Sequence, residues 1–557
     1  MPNLPTLFRK PAELGLRGAV EGHAVIQGFR SGMLGVDPPR KTAAVLRAID
    51  RLGPIGGAIA VAAARHGDRT GVIDEHGSLT FGEIGARADA LACGLRARGV
   101  SEGDTVGILC RNHRGFLDIT FAAAKVGTRA LYLNTDFAGP QLHDVCVRED
   151  VSLLVHDEEY NELVAPIETR HGTLLAWTDG PAGADTLEAV IAEHRGKVAP
   201  MPSRRAQVVL LTSGTTGTPK GAPRHGGRSL SPLGAILSKV PFRAREVTYV
   251  AAPMFHALGF AETIVAISLG NTVVTKRRFS PRLTLEGVAK HRATGLIVVP
   301  VMLQRIVGLL ESEPGRFDTS SLRIVLVAGA QLEAELARRS MRALGDVIYN
   351  FYGSTEVAWA TFATPEDLRA APGCVGRAPF GTIVKLFDQD GAPVAGANRT
   401  GRIFVGNGFQ FEGYTGGGNK EVIDGLMSTG DVGHFDAAGR LFIDGRDDDM
   451  ILSGGENVFP GEIEGLLITH DAIEEASVIG VEDTDWGWRL AAFVVLRPDH
   501  ELTGDQVKDF VKANLARYKV PREVTFIDEL PRNPTGKVLK RELRARLAGV
   551  ARTPASD

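Results

Sequence analysis

Short apolar segments alternate with longer helical segments along most of this 557-residue chain, and that rhythm limits the folds open to it. The apolar segments include "DTVGILC", "VSLLVHD", "VVLLTSG", "GLIVVPV" and "LRIVLVAG". Each is apolar nearly throughout, which is typical of strands buried on both faces. Helices of about 10–15 residues between such strands indicate parallel sheets covered by helices. We therefore predict an α/β fold.

One helix boundary can be predicted from local chemistry. Thr80 is followed three residues later by Glu83, the spacing of a capping box in which each side chain accepts from the other residue's amide. We expect a helix to begin after Thr80 and to run through Arg98. Gly99 should end it, since glycine readily takes the left-handed conformation that closes a helix.

The chain is too long for one hydrophobic core, because single cores stop growing at roughly 250–300 residues. Beyond about residue 380 the strands shorten, and turns such as "FDQDGAPV" and "FDAAGRLFIDG" predict antiparallel hairpins. A charged stretch at 446–449 marks our domain boundary. We predict a large domain at 66–447, with parallel-rich sheets, helices and a small antiparallel β subdomain. A small, mobile α+β domain follows at 448–557.

Residues 1–65 form a separate N-terminal extension. It contains "IGGAIAVAAA" at 55–64, which is shorter than the ~18–20 residues needed to span a bilayer. We expect this segment to dock on the main domain as a helix, and peripheral contact of the extension with a membrane surface is the alternative. No leader peptide is evident at the N-terminus.

Charge and cysteine content exclude several classes of protein. The formal net charge is -3, so no nucleic-acid footprint is evident. The cysteines at 93, 110, 146 and 374 are far apart and lack a CxxC pair, which favours reduced thiols over a disulfide framework or a zinc site. A cytoplasmic location is expected.

The stretch "LTSGTTGTPKG" at 211–221 is a candidate phosphate-binding loop. It follows an apolar strand, and ligands of α/β sheets bind beyond the carboxyl ends of strands. Its glycines allow close backbone approach, its hydroxyls can donate hydrogen bonds, and its lysine adds positive charge. The spacing differs from that of a Walker A loop. The predicted phosphate-binding residues are Thr212, Ser213, Gly214, Thr215, Thr216, Gly217 and Lys220.

This loop resembles the signature of the adenylate-forming superfamily, which includes acyl-CoA synthetases, luciferases and the adenylation domains of peptide synthetases. The family's other motifs recur in its order: "FYGSTEV" at 351–357, "STGD" at 428–431, "GRDDDMILSGGENVFPGEIE" at 445–464 and "PRNPTGKVLKREL" at 531–543. The resemblance covers residues 66–547. It implies that a carboxylate attacks the α-phosphorus of ATP, that pyrophosphate leaves, and that a thiol then attacks the acyl-adenylate. The implied cofactors are ATP, Mg²⁺ and coenzyme A.

The resemblance also implies roles for the nucleotide-binding residues. Glu356 would hold Mg²⁺ through a hard carboxylate oxygen, and Thr355 would bond the α-phosphate. Asp431 and Arg446 would bond the ribose hydroxyls. The adenine would lie between Tyr352 on one side and the "AGAQ" segment on the other, which contributes Gly329, Ala330 and Gln331.

Further roles concern the C-terminal domain. Lys537 matches the lysine that bridges the acid's carboxylate and the α-phosphate, where a flexible cation can balance developing charge. Because the thiol cannot occupy the same space, the family rotates the small domain between its two steps. Asp448 resembles the hinge of that rotation. Gly454 and Gly455 would then border the path of the thiol.

The segment "PMFHALGF" at 253–260 bears on the acid. It lacks an aspartate to pair with an α-ammonium group, so an apolar acid is favoured, and His256 resembles the family's gate residue. The predicted pocket residues are Gly259, Val299, Met302, Val357 and Ala358. A medium- to long-chain fatty acid fits them best, which predicts a fatty-acyl-CoA synthetase. An aryl-CoA ligase and an acyl-AMP ligase that loads a carrier protein are the alternatives, and the oligomeric state stays open.

Overall fold

The structure is a computed structural model. It describes residues 11–35, 38–180, 183–212, 220–224, 229–407, 409, 411, 413–415, 419–447, 451–453, 456–458, 460–483, 487–533 and 536–550.

Two helices in the described residues precede the first strand: α1 (Pro11–Arg30) and α2 (Pro39–His66). The strands of the following α/β region are β1 (Thr70–Asp74), β2 (Gly77–Thr80), β3 (Thr105–Leu109), β4 (Arg129–Tyr132), β5 (Val151–Asp157), β6 (Thr173–Trp177), β7 (Gln207–Thr212), β8 (Lys220–Arg224), β9 (Val247–Val250), β10 (Thr272–Val274), β11 (Gly295–Val298), β12 (Ile324–Val327), β13 (Ile348–Tyr352) and β14 (Thr361–Ala363). Its helices are α3 (Phe81–Ala97), α4 (Arg114–Val126), α5 (Gly139–Arg148), α6 (Asn161–Val164), α7 (Leu187–Glu193), α8 (Ser231–Lys239), α9 (Ala257–Ser268), α10 (Pro281–His291), α11 (Pro300–Ser312), α12 (Ala334–Leu344) and α13 (Pro365–Ala370).

These strands form two sheets. One has six strands in the order β6-β5-β3-β4-β7-β8, and the other has eight in the order β14-β13-β12-β11-β9-β10-β1-β2. Pairing is parallel except at the edge strands β8, β14 and β2. The five apolar segments predicted as strands lie in β3, β5, β7, β11 and β12. The α/β prediction is therefore confirmed.

The capping box is also confirmed. The Thr80 hydroxyl accepts from the Glu83 amide at 3.1 Å, and the Glu83 carboxylate accepts from the Thr80 amide at 2.7 Å. Helix α3 begins at Phe81. Gly99 follows the helix with φ +92°, a conformation in which a side chain would be strained.

A small antiparallel sheet follows, made of β15 (Ile383–Phe387), β16 (Gly401–Gly406), β17 (Val422–Ile423), β18 (Leu426–Phe435) and β19 (Leu441–Arg446). The C-terminal elements are β20 (Ile451–Ser453), β21 (Glu456–Val458), α14 (Pro460–Leu467), β22 (Ile473–Asp483), β23 (Gly487–Leu496), α15 (Gly504–Asn514), β24 (Glu523–Phe526) and α16 (Lys540–Val550). Here β22 pairs with β23 antiparallel, and β23 pairs with β24 parallel. The predicted β subdomain and α+β C-terminal region are both present.

Helix α2 kinks at Gly53, where φ is +69°, and Pro54 begins its second half. In that half Ala58, Ile59 and Ala62 are buried, and the helix packs against α3, α4 and α9. The apolar segment at 55–64 thus docks on the main domain, as predicted.

Helix α1 packs on α8. Its Val25, Ile26 and Phe29 side chains are exposed. None of the described helices is both long enough and apolar enough to cross a membrane. The cysteines are free thiols.

Candidate active site

The candidate phosphate loop connects two antiparallel strands. Strand β7 ends at Thr212 and β8 begins at Lys220, and these two residues are paired across the hairpin. The loop residues Ser213, Gly214, Thr215, Thr216 and Gly217 lie outside the described residues.

A threonine distant in the sequence anchors the second strand of this hairpin. The Thr415 hydroxyl accepts from the Gly221 amide at 3.0 Å, and the Thr415 amide donates to the Gly221 carbonyl at 2.9 Å. The same hydroxyl donates to the buried Glu149 carboxylate at 2.6 Å. These three hydrogen bonds hold the start of β8, the strand that begins at Lys220. Sequence reasoning missed Thr415, and no local signal in its surroundings identified it.

The residue before that threonine positions the predicted magnesium ligand. The Tyr414 hydroxyl donates to Glu356 Oε1 at 2.7 Å, and burial together with this carboxylate raises the pKa of Tyr414. Glu356 is 8% exposed. The Ser354 hydroxyl accepts from the amides of Glu356 and Val357 at 3.3 Å each, holding the turn that carries half-buried Thr355. The carboxylate is therefore oriented and offers hard oxygen atoms, which fits Mg²⁺.

The predicted ribose residues lie on the antiparallel sheet, where the predicted adenine residue Tyr352 reaches them. Asp431 and Arg446 face each other across β18 and β19, with Arg446 Nη1 3.4 Å from Asp431 Oδ1. The Tyr352 hydroxyl donates to Asp431 Oδ2 at 2.6 Å. Burial raises the pKa of Asp431, while the charges of Arg446, then Lys537 and Lys420, act in the opposite direction. A buried carboxylate of this kind is an acceptor for hydroxyl donors, as ribose recognition requires.

The turn that carries Lys537 lies against Val301 and the predicted pocket residue Val299. A Cβ on Gly536 would lie 2.6 Å from Val301 Cγ1 and 3.6 Å from Val299 Cγ2. Within the turn, the Asn533 side chain accepts from the Lys537 amide at 2.8 Å. The charge of Lys537 also acts to lower the pKa of Asp431, so the C-terminal domain lies in an arrangement in which this lysine influences the predicted ribose carboxylate. Asp448, Gly454 and Gly455 lie outside the described residues.

The Val299 side chain lies close to both the Lys537 turn and the "AGAQ" segment. Gly329 has φ +93°, and a Cβ there would lie 3.3 Å from Val299 Cγ1. Ala330 is half-buried and Gln331 is exposed. Gln331 faces the C-terminal domain, since its Oε1 lies 3.8 Å from the position of a Cβ on Gly461.

His256 stands at the N-terminus of α9. Burial lowers its pKa to about 4, so the imidazole is neutral at pH 7. Asn112 holds the turn before it, accepting from the Met254 amide at 2.7 Å and donating to the Ala252 carbonyl at 2.9 Å. Sequence reasoning missed Asn112. Its signal was an amide side chain just beyond the carboxyl end of buried strand β3.

Of the predicted pocket residues, Val299, Met302 and Val357 are buried. Gly259 is needed for close packing, because a Cβ there would clash with the Pro253 carbonyl oxygen. Ala358 has φ +64°, which is uncommon for a residue with a side chain.

Hydrogen bonds on both sides hold Ala358 in this conformation. The Asn407 side chain donates to the carbonyls of Val357 and Trp359 at 2.6 and 2.7 Å. The Trp359 ring stacks on Phe409 with 5.8 Å between centroids. Strained backbone that is held in place by its surroundings in this way is often found at binding sites.

Known proteins match this architecture. The family model of AMP-binding enzymes matches residues 59–415, and the model of their C-terminal domain matches residues 462–537. A feruloyl-CoA synthase from an Amycolatopsis species is 34% identical over 84% of this chain and 94% of its own. The long-chain-fatty-acid–CoA ligase FadD13 of Mycobacterium tuberculosis is 28% identical over 84% of this chain and 92% of its own.

Among solved structures, ATP-bound MatB from Rhodopseudomonas palustris superposes with a TM-score of 0.78 and 27% identity, covering 89% of this chain and 99% of that chain. The two family models match in the expected order along the chain, and the fold is shared with this solved structure. Both observations support the same family assignment. The chain therefore belongs to the AMP-binding enzyme family, in its acyl-CoA ligase branch, with ATP, Mg²⁺ and coenzyme A as cofactors.

Proposed function

We propose that this enzyme converts an aromatic carboxylic acid to its adenylate with ATP and then to its CoA thioester. The observation that carries the proposal is the position of the Lys537 turn. Its Gly536 lies against pocket residue Val299, while the Lys537 charge acts on Asp431. This position supports a role for Lys537 in joining the acid's carboxylate to the α-phosphate.

The surrounding groups have complementary roles in this proposal. Carboxylate and triphosphate repel each other, so cations must offset the charge that develops between them. Lys537 supplies one, and Mg²⁺ held by Glu356 supplies the other. Asp431 and Arg446 bind the ribose, Tyr352 packs on adenine, and Thr355 bonds the α-phosphate.

The phosphate-loop hairpin and the predicted gate residue His256 have the remaining roles in this proposal. The loop residues 212–217 and Lys220 would hold the β- and γ-phosphates through donors and charge. His256, being neutral, can border the acid's carboxylate without forming an ion pair that would compete with Lys537.

Two features favour an aromatic acid. The predicted pocket residues Val357 and Ala358 are followed in the chain by Trp359, whose ring stacks on Phe409, and flat rings pack well on aromatic surfaces. The feruloyl-CoA synthase is also a more similar relative, at 34% identity, than the fatty-acid ligase, at 28%.

A medium- to long-chain fatty acid is the second candidate. The buried side chains of Val299 and Met302 are apolar, and each buried CH₂ adds roughly 0.8 kcal/mol of binding. A panel of fatty and aromatic acids with ATP, Mg²⁺ and CoA, analysed by mass spectrometry, separates the two. Efficient use of alkanoates without use of ring acids would reject the aromatic assignment.

The acceptor can be tested in the same reactions. We expect acyl-CoA to form with free CoA. Pyrophosphate release that yields no acyl-CoA until a carrier protein is added would instead assign a carrier-loading ligase. Absence of a hydroxylamine-trapped adenylate for every acid would reject the activity altogether.

We also propose that residues 66–447 act as one large domain and that residues 448–557 rotate about Asp448 between the two steps. After rotation, Gly454 and Gly455 would leave room for the thiol. Peripheral membrane contact by the extension stays a prediction, and liposome co-sedimentation with and without residues 1–52 tests it. A cytoplasmic location fits these substrates.

A further inference from the structure

Helix α9 contains a carboxyl group that the proposed chemistry does not use. Glu262 is 3% exposed, and its Oε2 is buried with no hydrogen-bond partner in the part of the chain that the structure describes. Burial raises its pKa to about 8, and no neighbouring charge contributes to this shift. Its helix neighbours on the same side, Leu258 and Val265, are apolar.

The other buried carboxylates of the described residues have specific partners. Asp118 lies 2.7 Å from Arg87, and Asp157 lies 2.8 Å from His113. A buried polar group left without a partner typically costs stability. An apolar residue at this position would make the protein more stable. A buried carboxyl that stability does not explain indicates that a ligand supplies its hydrogen-bond partner.

The position of Glu262 points to the acid site. It lies three residues after the predicted pocket residue Gly259, so the two share one face of α9. From His256 it is about 9 Å along the helix axis at 1.5 Å per residue. Helical side chains tilt toward the N-terminus of their helix. The carboxyl therefore lies over the turn that carries Gly259, between the level of His256 and that of its own backbone.

We propose that Glu262 is a specificity-determining residue that binds a hydroxyl or amino group on the ring of the acid substrate. The inference rests on the proposed function and deepens it. With the acid's carboxylate near Lys537, a substituent at the far side of the ring would reach the depth of Glu262. A neutral carboxyl has an acceptor oxygen for such a donor and a proton for the hydroxyl oxygen in return. A ring without the substituent would leave the carboxyl unpartnered.

The test uses pairs of acids that differ only in the donor: cinnamate with 4-hydroxycinnamate, and benzoate with 3- and 4-aminobenzoate. Adenylation is followed by pyrophosphate release for the wild type, Glu262→Gln and Glu262→Leu. We expect the wild type to prefer one donor-bearing acid at least about 10-fold in kcat/KM, since a buried polar group discriminates strongly against a ligand that lacks its partner. Glu262→Leu should abolish the preference by lowering kcat/KM for that acid alone, and Glu262→Gln, which keeps an acceptor oxygen, should retain part of it.

Thr263→Val is the matched control. It removes the neighbouring hydroxyl, which donates within the helix to the Gly259 carbonyl at 2.7 Å, and should change both members of each pair equally. Thermal unfolding of every variant verifies folding.

Two outcomes overturn the inference while the proposed function stands: equal use of both members of every pair by the wild type, or equal loss for both in Glu262→Leu. If the wild type adenylates alkanoates but no ring acid, the proposed function fails and this inference fails with it. These results are distinguishable within one set of reactions.

Discussion

The Tyr414 hydroxyl donates a 2.7 Å hydrogen bond to Glu356 Oε1, and the next residue, Thr415, bonds the backbone of Gly221 on both sides. One short segment thus links the predicted magnesium ligand to the phosphate-loop hairpin. The two groups predicted to act on the same triphosphate are therefore positioned by one segment.

Tyr414→Phe should weaken this link. Loss of a hydrogen bond to a buried charged group costs roughly 1.5–3 kcal/mol, so we expect kcat/KM for adenylation to fall about 10- to 100-fold. The Mg²⁺ concentration for half-maximal rate should rise. Tyr518→Phe, at an exposed tyrosine in the C-terminal domain, is the control and should change neither quantity. An unaltered Mg²⁺ dependence in Tyr414→Phe would contradict the assignment.

Lys537→Ala should abolish adenylation yet leave thioester formation from supplied acyl-adenylate largely intact, because the role proposed for this lysine belongs to the first step only. The two half-reactions are measured separately, by pyrophosphate release and by acyl-CoA formation. Lys508→Ala removes a surface lysine paired with Asp505 and should affect neither. Equal loss of both half-reactions would argue that Lys537 has a structural role.

Gly259→Ala should destabilise the protein and displace the predicted gate residue His256. The added Cβ would clash with the Pro253 carbonyl, and forced overpacking typically costs about 1–3 kcal/mol. Because the same turn positions His256, kcat/KM should also fall. Gly308→Ala on α11 meets nothing within 4 Å and should stabilise the helix by about 0.5–1 kcal/mol. Denaturant unfolding of both variants measures the difference.

Glu262→Gln should change how stability depends on pH. The pKa of Glu262 is raised to about 8, above its usual value near 4.3, so between those values the folded protein binds more protons than the unfolded chain. Stability from this group therefore falls as pH rises through that window. At pH 8 the variant should be more stable than the wild type by roughly 2–5 kcal/mol. The gap should close toward pH 5, and a constant gap would refute the burial of this carboxyl.

Much of the fold was predictable because its signals are local. The capping box at Thr80 and Glu83 depends on residues one turn apart, and the apolar strands are recognised from their own composition. The motifs that carry Glu356, Asp431 and Lys537 were recognised in the same way. Their assigned roles stay predictions, and the structure adds that Asp431, Arg446 and Lys537 lie close enough to influence one another.

Sequence by itself determined the α/β class and the family, because each apolar strand and each family motif is encoded in a short run of contiguous residues. Tertiary structure alone decided that Glu262 Oε2 is buried with no hydrogen-bond partner among the described residues. It also decided that Thr415 bonds Gly221 and that Asn112 holds the turn before His256. These relationships join segments far apart in the chain. Burial and hydrogen bonding depend on what packs around a side chain, and only the folded arrangement of the sheets and helices sets that.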